Sequence, residues 1–260
     1  MMNLGSIFVT VIRRDWAMMR TYIVNTVSSL VSIYVIFLLI FLGLKSLSGY
    51  AATGALEGSM EGTVIGFFVW TFTVMGFSEL AWGLTGEAQA GTLEQLYLTP
   101  CGFKWVCGCT MISGLVLQFI PVLILLVVMM ATTGQWLNLN FVSLIPLLLI
   151  TILGSYGFGF ALGGLALIFK RIQAIFQILQ FVFIGFLVIP QRVPWAKFLP
   201  LSLGNSLIYD VMVDGTRLWE LPIESILTAL AVGVFYLVIG VIIFSYCENI
   251  ARDRGLLGHY

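Results

Sequence analysis

The chain has 260 residues, 60% hydrophobic and only 9% charged, with a mean hydropathy of +1.06 and no formal net charge. A soluble domain carries roughly 25% charged residues, so this composition cannot cover a water-facing surface, and a balanced charge gives nucleic acid nothing to attract it. The sequence describes an all-α integral membrane protein, read as one domain over 1–260.

Residues 3–20 are expected to form an interfacial amphipathic helix. Leu4, Ile7, Phe8, Val11 and Met18 fall on one face with Arg13 and Arg20 opposite, and Asp15 interrupts the apolar side. Six apolar runs follow, at 21–44, 62–84, 105–131, 141–169, 172–189 and 223–246. Each is continuous and near the roughly 20 residues that span a bilayer as a helix, without the alternation of a membrane β-barrel. The first run is longer than the roughly 7–15 residues of a signal peptide's apolar stretch, so it is read as a retained anchor.

Arg13, Arg14, Arg20, Lys104, Lys170, Arg171, Arg252 and Arg254 fall on one side of these runs, against Lys45, Arg192, Lys197 and Arg217 on the other. The excess places both termini in the cytoplasm of a cell (plasma or inner) membrane. The four cysteines, Cys101, Cys107, Cys109 and Cys247, then face a reducing compartment and are expected to be free.

Individual runs carry further signals. Glu79 lies towards the cytosolic end of the second, where it pairs with a neighbouring Lys or Arg or reaches the interface. Pro121 and Pro146 can kink the third and fourth. Gly159-x-x-x-Gly163, within a glycine-rich stretch that includes Gly154, Gly157 and Gly164, admits a second backbone closely. Gln173, Gln177 and Gln180 share one face of the fifth run; three amides facing lipid are costly, so the stripe faces protein or water. Residues 190–222, with Pro190, Pro194 and Pro200, are too polar to span and too apolar for a free loop. Short helices dipping into the outer leaflet, with Trp195 and Trp219 at headgroup depth, suit them.

Between the second and third runs stands GEAQAGTLEQLYLTP, residues 86–100. Thr92 and Gln95 have the spacing of a capping box, so a short helix starts at Leu93 and stops before Pro100. Leu93, Leu96 and Tyr97 share a face while Glu94 and Gln95 turn away, and Gly91 allows a sharp bend. Two readings stand: a well-capped connector, or a rigid knob by which a partner moves two spans.

Catalysis in this chain is not expected. There is no Gly-Lys dipeptide and hence no P-loop, and His259 is the only histidine, which rules out H-E-x-x-H. Ser78 in GFSEL has no histidine on another run to act as its base. No catalytic residue, metal ligand or cofactor of its own is assigned.

Glu87-x-x-x-Gly91-Thr92-Leu93-Glu94-x-Leu96-x-x-Thr99-Pro100 resembles the signature of ABC-2 type ABC transporter permeases, and the amphipathic N-terminal helix, six spans and outer hairpin resemble that family's type V exporter fold. The resemblance implies that residues 87–98 form a coupling helix. Glu87, Gly91, Thr92, Leu93, Glu94, Leu96, Tyr97 and Pro100 would then face a separate ABC ATPase subunit. It further implies two such subunits carrying ATP and magnesium, a second permease copy (identical or paralogous), and a path lined by the second and fifth spans. Those spans offer Phe67, Trp70 and Thr71 with Gln173, Gln177 and Gln180, which suit an amphipathic, lipid-like or drug-like substrate. Exporters of lipid-linked polysaccharides belong to the same family; a membrane scaffold without transport activity is the alternative from another class.

Overall fold

The computed structural model describes residues 4–48, 60–99, 102–169, 172–188 and 194–253. Among these residues the chain is helical, without strands. The helices are α1 (Leu4–Thr21), α2 (Ile23–Ser48), α3 (Met60–Gln89), α4 (Leu93–Tyr97), α5 (Phe103–Thr133), α6 (Phe141–Ile168), α7 (Gln173–Val188), α8 (Ser202–Met212) and α9 (Ile223–Asp253), with a 3-10 helix at Pro194–Phe198. Five of them, α2, α3, α5, α6 and α9, are long and apolar enough to cross a membrane, which marks a multi-pass membrane protein. The run expected at 172–189 gives α7, of 16 residues. Those 16 described residues are about 24 Å of helix. Residues 189–193 lie outside the described residues.

α6 is the hub, and glycine makes it one. Lipid supplies no hydrophobic drive between helices, so association depends on close backbone packing. A Cβ built on Gly157 would lie 2.1 Å from the Tyr236 carbonyl oxygen, and one on Gly240 would lie 1.9 Å from that of Gly157. No side chain fits at either position, and α9 therefore rests backbone to backbone on α6. The other side of α6 meets α3: a Cβ on Gly159 would approach the Phe77 carbonyl oxygen to 3.0 Å, and one on Gly163 would meet the Leu80 side chain. The Gly159-x-x-x-Gly163 pair is a packing face, as its spacing indicates.

The tryptophans give the depth. Trp16, Trp82 and Trp105 are exposed at the end of the bundle that carries α4, and Trp136, Trp195 and Trp219 are exposed at the opposite end. Trp70, about a third of the way along α3, is 8% exposed, and its indole N–H donates to the Gln180 carbonyl at 3.0 Å. Exposed indoles at both ends and a buried, bonded one between them are the pattern of interfacial aromatic belts.

The same counting orients α1. Phe37 of α2 packs against Phe67 of α3, with ring centroids 5.2 Å apart. Fifteen residues back from Phe37 is Tyr22, and fifteen on from Phe67 is Trp82, which puts these two at one level. Arg14 is eight residues before Tyr22, about 12 Å of helix, yet it lines a cavity with Leu80, Leu84 and Glu87. Glu87 is five residues past Trp82, or about 7 Å. α1 therefore leans strongly across the bundle. Val11 is buried and Phe8 half-buried against it, and Arg13 and Arg20 are exposed. Met18 departs from the expectation and is exposed although it shares Val11's helical face. Asp15 points inward and accepts from Arg14 Nε at 3.0 Å, which accounts for an acid on that side. The side chains of Leu4 and Ile7 lie outside the described residues.

At the far end, α8 lies along α6. A Cβ on Gly204 would meet Thr151 Oγ1 at 2.1 Å, ten residues inside α6, while Asn138 just before α6 donates its N–H to the Met212 carbonyl at 2.8 Å. The segment thus dips about 15 Å into the helical layer. The Leu218 N–H donates to Ser143 Oγ at 3.0 Å and closes it.

Gly157→Ala is expected to destabilise the chain by on the order of 3 kcal/mol through overpacking, read as a sharply lower melting temperature in detergent. Gly185→Ala in α7, with open space around its Cβ, should leave it unchanged. Burial, and secondarily Asp214, hold the Asp210 carboxyl above its usual range. A raised folded-state value means stability that is complete at low pH and lost as pH rises through it. Amide exchange across 202–216 should therefore quicken as pH rises past the ordinary aspartate range, once intrinsic exchange is corrected for, and Asp210→Asn should abolish that dependence.

Candidate functional site

The turn between α3 and α5 is built from the end of α3. That helix continues to Gln89, beyond the apolar run that predicts it, and so carries Glu87 beneath the turn. Gly91 then adopts φ +71°, the left-handed conformation that glycine accepts without strain. The Thr92 N–H donates to the Glu87 carbonyl at 2.9 Å, and the Thr92 carbonyl accepts from Leu96 N–H at 3.1 Å. α4 thus starts at Leu93, as its sequence indicates.

The reciprocal capping box does not form. The Thr92 hydroxyl bonds the Glu87 carboxylate and lies 3.2 Å from the Glu87 carbonyl, and Gln95 is exposed. Glu87 outcompetes Gln95 because the extended α3 places its carboxylate under the hydroxyl. The Thr99 hydroxyl bonds the Leu96 carbonyl and finishes the turn.

The expected interface residues divide by burial. Leu93 is 1% exposed and anchors α4 on the bundle. Leu96 and Tyr97 are half-buried, with the Tyr97 ring 5.6 Å from that of Phe103 at the start of α5. Gly91, Gln95 and Leu98 are exposed. Pro100 and the side chain of Glu94 lie outside the described residues.

Two further ties were not evident from the sequence. Arg14 Nη1 lies 3.5 Å from Glu87 Oε1, which joins α1 to the turn. Lys104 Nζ lies 3.4 Å from Glu248 Oε2, which joins the start of α5 to the end of α9. Within the bundle, Gln118 Nε2 donates to Glu79 Oε2 at 2.7 Å. Gly114 makes room for that carboxylate, since a Cβ there would lie 2.7 Å from Glu79 Cγ. Glu79 is thus held by a helix–helix hydrogen bond to an amide, and not by the lysine or arginine expected for it. The one available signal was Gln118, a lone amide in the apolar third run.

The residues expected along a path are only partly brought together. Trp70 meets the backbone of Gln180, as above. Phe67 is covered by Phe37, and Thr71 is 1% exposed with its hydroxyl bonded to the Phe67 carbonyl at 2.8 Å. Within one chain these three are core, closed over by α2 and α7. Gln177 is exposed and Gln180 half-buried; the side chain of Gln173 lies outside the described residues. Cys107, Cys109 and Cys247 are free, and among the described residues no cluster of His, Cys, Asp or Glu is arranged to hold a metal ion.

No protein-family model, no curated protein and no solved structure matches this chain.

Arg14 and Glu87 are both partly exposed, so a double-mutant cycle with Arg14→Gln and Glu87→Gln should give a coupling below about 1 kcal/mol. Thr92→Val should speed amide exchange at Leu93–Tyr97 more than Gln95→Ala does, because the hydroxyl and not the amide holds the turn.

Proposed function

We propose that the chain is the permease subunit of an ATP-driven exporter of the ABC-2 type. Its ATP and magnesium are carried by two copies of a separate ATPase subunit, and a second permease copy completes the path. The observation that supports this best is the turn itself. α4 is too short to be stable alone, yet it is tied to α3 through Thr92 and Glu87 and to α5 through Tyr97 and Phe103, with α1 held more loosely at the same corner by the Arg14–Glu87 ion pair. A body that grips its exposed side, at Gln95 and Leu98, moves α3 and α5 together. A passive connector needs none of these ties.

In this reading α7 belongs to a sixth span, α1 lies at the cytoplasmic interface, and the segment ending in α8 is the outer re-entrant hairpin. Both termini face the cytoplasm. The path runs over the exposed side of α7, where Gln177 is accessible, and Trp70 braces α7 from beneath by its bond to the Gln180 carbonyl. An uncharged surface of amides and aromatics suits an amphipathic substrate.

The test is purification of the tagged chain from its native membranes in mild detergent. A P-loop ATPase should accompany it. Leu98→Asp or Glu94→Lys should weaken that association by about thirtyfold, the scale of an interface hot spot, with the melting temperature unchanged. Leu93→Asp should lower both, because Leu93 is an anchor and not a contact. A chain that emerges alone from several mild detergents would sink the reading and favour a membrane scaffold.

A further inference from the structure

α1 has two unlike sides. Phe8, Val11, Ile12, Asp15 and Met19 are buried or half-buried against the bundle, while Val9, Arg13, Trp16 and Arg20 are exposed. The second set recurs at spacings of four, three and four, which gathers it into one stripe about 110° round the helix from the buried set. Arg13 and Arg20 bracket the Trp16 indole, about 10 Å apart along the axis. Among the described residues neither has a carboxylate partner, whereas Arg14, Lys104 and Arg252 each have one. The acid nearest in sequence, Asp15, is turned inward and bonded to Arg14.

The direction of the stripe follows from where α1 touches α5. The cavity beside Arg14 is lined by Val106, Cys107 and Thr110, which lie on the flank of α5 and not at its first residue, Phe103. The exposed stripe therefore lies on a flank of α1, beside the bundle and not beneath it. Exposed Tyr22, Trp82 and Trp105 mark the same end, and α2, which begins one residue after Tyr22, is exposed over nearly its whole length. Hydrocarbon does not accept two unpaired guanidinium groups, and a face meant for water alone has no need of Trp16 and Val9 between them. The headgroup layer accepts both kinds of group.

We propose that the Val9–Arg13–Trp16–Arg20 stripe of α1 is a binding site for anionic phospholipid headgroups, with a phosphate at each guanidinium and the indole at the level of the glycerol backbone. Two positive charges with no carboxylate beside them favour an acidic lipid over a zwitterionic one, whose cationic group finds nothing to pair with. The site stands on the multi-pass reading of the chain and is independent of any ATPase.

The experiment places the full chain in lipid nanodiscs and titrates in brominated phosphatidylglycerol or brominated phosphatidylcholine. The signal is the quenching of fluorescence that is lost in Trp16→Phe. The acidic lipid should quench at lower mole fraction. Arg13→Gln and Arg20→Gln should each reduce that preference about fivefold, and Arg13→Lys with Arg20→Lys should retain it. Equal quenching by the two lipids in the unsubstituted chain would overturn the proposal, as would a preference that survives both glutamine substitutions. Loss of a co-purifying protein in the glutamine variants, with the two lipids quenching alike throughout, would instead make the stripe a protein-docking face.

Discussion

Everything at the α4 end of this molecule depends on a contact in the middle of it, where the backbone of α9 lies on the backbone of α6 at Gly157 and Gly240. Within a bilayer, lipid tails solvate leucine as well as another leucine does, so apolar side chains alone do not choose a partner helix. Dispersion between backbones in direct touch does choose one, because a single methyl group abolishes it. Once α9 is fixed on one side of α6, Gly159 and Gly163 fix α3 on the other. Phe77 then packs against Phe176 and Phe183 of α7. The end of α3 carries Glu87, and the end of α9 carries Glu248, which reaches back to Lys104. The turn is thus located from both sides by one glycine-lined hub.

Three kinds of force hold that turn, and they differ in how they respond to solvent. Leu93 contributes burial, which salt does not weaken. The Thr92–Glu87 bond is short-range and directional. Arg14–Glu87 is a half-exposed ion pair, screened at physiological ionic strength. α4 is therefore firmly seated by the first two, while its attachment to α1 is comparatively easy to release. α1 can shift against the turn at small cost without α4 losing its place.

Much of this was legible in the sequence, for identifiable reasons. Continuous apolar runs gave the long helices, because in hydrocarbon a backbone has almost no alternative. The glycine spacing in α6 announced close packing, and Gly91 announced the bend. What failed depended on lengths and neighbours. α3 runs past its apolar stretch to Gln89, and that extra turn transfers the Thr92 hydroxyl from Gln95 to Glu87. The amphipathic pattern of α4 identified an apolar face but not which way it turns; Leu93 faces the bundle. Phe67 and Trp70 belong to the core because α2 and α7 cover them, a fact of tertiary packing that no local pattern encodes. The ties of Arg14 to Glu87 and Glu79 to Gln118 join residues far apart in the chain, and nothing in their spacing could suggest them.

The two tryptophan belts also act as a gauge. Trp105 and Trp136, near either end of α5, are 31 positions apart, about 45 Å along a helix, which matches a bilayer measured across both headgroup layers. The other long helices, of 26 to 31 residues, share that scale, so a markedly thinner bilayer would leave apolar ends of several helices in water at once.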